Sequence, residues 1–213
     1  MKNFTLRKIF TITSSAAIAG LSITSAMGQA PKLLADKPTF DELQSPEHAG
    51  GGRQKPFKPK NWLEMEAKLN IAGAAAAKTK VCDRLTVKWY VAVKNPEKPG
   101  SMLLLTKDVE HVNIPYDEDV YVSVYLSPVS VKRLTGSDRA GKSAVEAVGY
   151  EVLVNGVKVA TENVGKGKAG WWLEASDKIS KNETVPLLNK AETPFRAMWW
   201  DRYAEVNEGR GLR

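Results

Sequence analysis

Residues Gly136 to Ser143 read Gly-Ser-Asp-Arg-Ala-Gly-Lys-Ser. They satisfy G-x-x-x-x-G-K-[ST], the pattern of a loop whose amides and lysine cradle phosphate. That chemistry requires a buried strand running into the loop and a helix whose N-terminus faces the phosphates. Here the preceding stretch, Ser130 to Thr135, is amphipathic and reads as helix, and the following stretch leads soon to a hairpin. The pattern therefore reads as a polar crossing loop, and no nucleotide is expected.

Two further groups could do chemistry. Glu64 and Glu66 share the polar face of one strand pattern, and paired carboxylates some 5–9 Å apart can hydrolyse glycosides. They serve equally well as a solvated face with Lys68. Asp117-Glu118-Asp119 could attract a hard cation, but the alternating oxygen ligands and central glycine of a calcium loop are missing; a solvated turn is expected. The two histidines, His48 and His111, and the single Cys82 are too far apart in sequence to give a zinc or copper spacing. No G-x-S-x-G or H-E-x-x-H motif occurs. The chain is thus expected to be no enzyme, with no catalytic residue, no metal and no cofactor.

The tryptophans point to binding instead. Two adjacent pairs, Trp171-Trp172 and Trp199-Trp200, stand among six tryptophans. On a strand, neighbours face opposite ways, so one of each pair can fill the core while the other meets a sugar or a partner chain. Trp171, Trp172, Trp199 and Trp200 are the candidate interaction surface.

The elements that must position these residues are strands. Leu63, Met65, Ala67, Leu69 and Ile71 alternate with Glu64, Glu66, Lys68 and Asn70, one apolar face of a strand. An Ala-rich turn, Gly73 to Ala77, follows. Leu85, Val87, Trp89, Val91 and Val93 repeat the alternation, ended by Asn95-Pro96 and Pro99-Gly100. Met102 to Leu105 and Val109 to Ile114 read as two further strands, Pro115 to Asp119 as a turn, and Val120 to Leu126 as another strand. Ser127 can cap a short helix with Pro128 at its first position and Gly136 as its stop. Asn155-Gly156, between two β-branched runs, predicts a two-residue hairpin of type I′. Trp171-Trp172-Leu173 reads as a strand. After Thr193-Pro194 the spacing fits helix or strand, and a closing strand after an irregular segment is favoured. Many short strands, frequent turns and no βαβ alternation predict an all-β sandwich of immunoglobulin-like type with one or two short helices.

The flanking segments suggest export. Lys2, Arg7 and Lys8 precede an uncharged run from Ile9 to Ile23, and Ala26-Met27-Gly28 suits a signal peptidase, so residues 1–28 read as a signal peptide and Gln29 as the mature start. An uncleaved N-terminal anchor is the alternative, though the run is short for a membrane span. Removing its three basic residues lowers the net charge from +7 to +4. Part of the remainder lies in residues 29–60, a flexible Pro/Gly/Lys-rich linker by composition, so no nucleic-acid face is expected. Residues 61–213 would form the sandwich. With one cysteine, an intramolecular disulfide is impossible; Cys82 reads as a small buried hydrophobe, with an intermolecular bridge as the alternative.

Three stretches also carry a likeness: Cys82-Asp83-Arg84-Leu85-Thr86-Val87-Lys88-Trp89-Tyr90, the run from Asp117 to Pro128, and Thr193-Pro194-Phe195 with Trp199-Trp200-Asp201-Arg202-Tyr203. They resemble a small secreted immunoglobulin-like protein family of verrucomicrobia, encoded in a type IV pilus-like gene cluster, over nearly the whole chain. The resemblance implies a fold similar to domains of archaeal type IV pilus-like fibres and a role around pili or the cell envelope. It carries over no catalytic residues. The chain lacks a prepilin-type Gly-aromatic start with a glutamate five residues on, so accessory or surface-interaction work is expected rather than assembly as a pilin. Expected partners are envelope or pilus-associated proteins, with self-association, no nucleotide, and the membrane only through partners. The expected location is the periplasm, the outer membrane's periphery or the cell surface. A secreted glycan-binding module using exposed tryptophans is the alternative.

Overall fold

A computed structural model describes residues 32–47, 58–72, 79–137, 141–174 and 176–209. The signal-peptide segment 1–28, Gly50 to Gly52 and the Ala-rich turn lie outside the described residues. The strands are β1 (Lys32–Ala35), β2 (Thr39–Gln44), β3 (Asn61–Ala72), β4 (Val81–Lys94), β5 (Met102–Pro115), β6 (Asp119–Leu126), β7 (Val145–Val154), β8 (Val157–Gly165), β9 (Ile179–Lys181), β10 (Leu188–Asn189) and β11 (Glu205–Val206). Two short helices, α1 (Pro128–Thr135) and α2 (Gly141–Ala144), lie between β6 and β7.

The strands form two sheets. One runs β1-β3-β6-β10, with β2 also on β3; the other runs β11-β5-β4-β7-β8, with β9 parallel to β5. The inward residues of β3 (Leu63, Met65, Leu69, Ile71) and of β4 (Leu85, Val87, Trp89, Val91, Val93) are sealed in one apolar core shared by both sheets. Burial of this alternating face is the main drive to this architecture. The chain is an all-β, immunoglobulin-like sandwich, as the period-two pattern predicts.

Local signals are met where their chemistry is self-contained. Ser127 accepts from the Ser130 amide, Pro128 opens α1, and Gly136 closes it with φ 75°. Asn155 and Gly156 turn the β7–β8 hairpin with φ 49° and 81°, both left-handed as type I′ requires.

Three expectations are corrected. The linker read over residues 29–60 is ordered over residues 32–44: β1 pairs with residues 69–72 of β3 and β2 with residues 61–66. Pro38 is buried at the step between them. An edge strand borrows its hydrogen bonds from its neighbour, so it needs no apolar run of its own and tolerates proline at a break in the ladder. Met102 to Leu105 and Val109 to Ile114 are one continuous strand, β5, because Thr106-Lys107-Asp108 holds no breaker. Trp171–Leu173 is a turn of 3₁₀ helix, not a strand. A closing strand after an irregular segment is present: β11, two residues long and paired with β5, follows 3₁₀ turns at Lys190–Glu192 and Pro194–Ala197.

Candidate functional site

The outer face of β3 and β6 presents Trp62, Glu64 and Glu66 beside Tyr121, Ser123 and Tyr125. In a plain sandwich this face would be wet. Here the segment from Lys190 to Tyr203 folds back over it as a strap, and Ser123 and Tyr125 are buried. The strap's shape is built locally. Asn189 and Glu192 form a reciprocal capping box, and Thr193 caps the turn that Pro194 opens. This drives Phe195 (1% exposed) onto the sheet, stacked on Tyr125 at 5.5 Å and edge-on to Trp62 at 5.8 Å.

A chain of hydroxyls and carboxylates ties the strap down. Ser123 Oγ donates to the Tyr125 hydroxyl at 2.9 Å, which donates to Glu64 Oε1 at 2.6 Å. The Tyr203 hydroxyl sits between Glu64 Oε1 at 2.9 Å and Glu66 Oε2 at 2.5 Å; its single proton serves one carboxylate at a time. Arg202 donates to Glu66 at 2.7 Å, and its guanidinium lies 3.5 Å from the centre of the Tyr121 ring. Burial pushes the Glu64 carboxyl above its ordinary range, against the two tyrosine hydroxyls that lower it. Glu64 and Glu66, the paired carboxylates noted for hydrolysis, are thus engaged in holding the strap. Lys68 turns away from them to Asp36 and Asp119, at 3.3 and 3.4 Å.

Lys190 anchors the strap from within. It is only 7% exposed, and its ammonium donates to the carbonyls of Met198 at 2.5 Å and Arg196 at 3.4 Å. It also lies 4.9 Å from the Tyr203 ring. Burial lowers its pKa, and Glu64 opposes that shift.

At the end of this strap the second tryptophan pair divides its work. Trp199 stacks on Phe195 at 6.2 Å and is 45% exposed; Trp200 is 68% exposed. Trp199 has φ 50°, a left-handed conformation that costs a bulky residue about 1–3 kcal/mol. The reversal throws Trp200 outward, over a cleft of about 350 Å³ bordered by Lys190, Arg196, Asp201 and Glu205.

The first pair does not belong to the candidate surface. Trp171 and Trp172 are only 6% and 8% exposed. Trp172 lies flat on Tyr90 of β4, with centroids 4.5 Å apart and planes at 9°, and Trp171 meets it edge-on. Both cover the outer face of the second sheet beside Ala92, Leu104 and Ala147. In a 3₁₀ turn, neighbours diverge by about a third of a circle rather than a half, so both rings can reach the sheet, where Ala92, Ala147 and Gly149 leave room beside Tyr90 and Leu104. The strand alternation assumed for the pair does not hold there.

The remaining candidates have structural engagements. The Gly141 amide donates to Glu42 at 3.1 Å, and Lys142 pairs with Asp41 at 2.7 Å. Helix α1, not a strand, leads into the Gly136–Ser143 pattern, whose residues 138–140 lie outside the described residues. His111 is buried on β5, its Nδ1 3.2 Å from the Ala204 carbonyl, and burial lowers its pKa to about 4. Asp119 bonds Asn70 and Lys68. Cys82 is buried, and burial raises its thiol pKa. His48 lies outside the described residues. Among the described residues, no group of three His, Cys, Asp or Glu could hold a metal, and no helix is long and apolar enough to cross a membrane.

Sequence reasoning missed the strap's grip. Tyr125, Lys190, Phe195 and Tyr203 carry it; Phe195 and Tyr203 lie in an aromatic-dense stretch without a clear period, and nothing in the types of Tyr125 and Lys190 signalled this contact.

Comparison with known proteins supports kinship along the chain. No curated protein matches. The crystal structure of a protein from the verrucomicrobium Akkermansia muciniphila is similar, with 39% sequence identity and a TM-score of 0.78, over 83% of this chain and 93% of that one. A protein-family model matches residues 24–210. With the likeness extending through both sheets and the strap, the chain belongs to the family that this model defines.

Proposed function

We propose that the chain is a non-enzymatic, exported structural or interaction protein of the cell envelope, working beside a type IV pilus-like system. One observation carries the reading. The groups that could have done chemistry, Glu64, Glu66, Lys142 and His111, are bonded within the fold, while the strap displays Trp200 to solvent. A strained turn that presents an aromatic ring supports reading this face as a contact surface. Export rests on the basic n-region and the uncharged run of residues 9–23. The pilus connection rests on the resemblance to the verrucomicrobial proteins.

The test is chemical cross-linking in intact cells followed by capture of the tagged full chain. Envelope or pilus components should co-purify with the wild type and be lost with Trp200→Ala. N-terminal sequencing of the mature protein should begin at Gln29. A monomer that captures nothing from envelope extracts, or one that keeps its leader in the cytoplasm, overturns the proposal.

A further inference from the structure

The cleft below Trp200 has a definite chemical character. Its basic groups, Lys190, Arg196 and Arg202, are matched by Asp201, Glu205 and Glu208. Arg196 pairs with Glu208 at 2.6 Å and Arg202 with Glu66 at 2.7 Å, while Lys190 is turned onto backbone carbonyls. The local field is therefore nearly cancelled, so neither a phosphate nor a metal cation would find the uncompensated charge it needs. What remains is a mixture of donors and acceptors beside a flat apolar ring. A sugar hydroxyl both donates and accepts, and the C–H face of a pyranose is an apolar plane that an indole can cover. The volume, about 350 Å³, falls at the lower end of the range for small-molecule sites, roughly 300–1,000 Å³.

The backbone that carries the ring is braced. Trp200 has no ring partner among the described residues beyond the Lys190 ammonium, 6.0 Å from its centroid. Its backbone is fixed by the left-handed Trp199, by Phe195 seated in the sheet, and by the buried Lys190 bonded to the turn. Bracing the backbone beneath a contact group before the ligand arrives removes part of the entropy cost of binding.

We infer that the cleft beneath Trp200 is a recognition site for a neutral pyranose unit of an envelope glycan, stacked on Trp200 with Asp201 and Arg196 beside its hydroxyls. The inference rests on the reading that the strap is the contact surface of a non-catalytic exported protein; it adds that the surface reads carbohydrate rather than polypeptide.

The test titrates the mature chain with chitotriose, cellotriose, maltotriose and lactose, and with sialyllactose as an anionic control, following tryptophan fluorescence and amide shifts. At least one neutral sugar should quench and blue-shift the emission, with shifts confined to residues 190–206 and no loss of affinity between 50 and roughly 500 mM salt, beyond the range over which charged contacts are screened. Trp200→Ala should weaken binding at least tenfold with its circular dichroism unchanged, and Trp200→Phe should retain part of the affinity. Silence toward all four neutral sugars, affinity unchanged in Trp200→Ala, or binding restricted to sialyllactose overturns the inference. If the sugars are silent while Trp200→Ala still abolishes capture of envelope proteins, the contact surface stands and its carbohydrate chemistry falls. If both vanish, the surface reading falls with it.

Discussion

Replacing Gly149 with alanine isolates the packing of Trp172. Gly149 lies on β7 directly under that ring, and a Cβ added there would stand 2.1 Å from Cζ3, 2.8 Å from Cε3 and 2.9 Å from Cη2. The indole cannot absorb this in place, because Tyr90 is stacked on it at 4.5 Å and Trp171 packs against it edge-on. Overfilling such a site costs about 1–3 kcal/mol, and losing the stack adds about 0.5–1.5 kcal/mol. The alanine returns about 0.4–1 kcal/mol by restricting the unfolded chain. A net loss of about 2–3 kcal/mol is expected, which at a urea dependence of about 2 kcal/mol per molar moves the unfolding midpoint down by about 1 M. Near-ultraviolet circular dichroism should lose Trp172 intensity in parallel. In a Trp172→Ala background the obstacle is gone, so Gly149→Ala should there be neutral or slightly stabilising. Equal costs in the two backgrounds, within the roughly 0.5 kcal/mol expected of independent sites, would refute the assignment of Gly149 to this ring.

Three further outcomes are expected. His111 is neutral in the fold because burial holds its pKa near 4 rather than 6.5; the unfolded chain takes up a proton first, so this residue's contribution to stability declines as pH falls from about 6.5 to about 4, by about 3 kcal/mol in all. His111→Gln should flatten that part of the stability–pH curve, and a variant with the wild-type slope would discount it. Tyr203→Phe removes the hydroxyl shared by Glu64 and Glu66 and should cost about 1–3 kcal/mol in urea titration, with faster proteolysis within residues 190–206. Gly156→Ala forces a side chain into φ 81° and should cost about 1–2 kcal/mol; unchanged thermal unfolding would contradict the hairpin geometry.

How far the structure could be read in advance depended on where the information lay. The alternation of β3 and β4, the cap of α1 and the Asn155-Gly156 turn are written within a few residues, because each follows from local sterics and one buried face. The edge strands β1 and β2 were hidden, since their pairing is dictated by β3 rather than by their own pattern. Among the site residues, Glu64, Glu66 and both tryptophan pairs were singled out by type, but type does not give surroundings. That Tyr203 would reach back to Glu64, and that Trp171 and Trp172 would both lie against a platform of Ala92, Ala147 and Gly149, depends on contacts between distant parts of the chain. The division of Trp199 from Trp200 turns on one backbone reversal that neither residue type favours.

The strap also imposes an order of events. Tyr203 meets Glu64 across a separation of 139 residues, and Phe195 comes still later than both sheets' long strands. A ribosome makes the chain from its N-terminus, so Tyr125 and the two carboxylates cannot be covered before residues 190–203 have been added, long after the main strands of both sheets. Contacts of such long range are slow to form, and a nascent chain with this face unsealed is sticky. Closure of this face therefore waits for the strap, and a chain stopped short of Phe195 would leave an aromatic, half-charged sheet face open to whatever chaperone or neighbour it met.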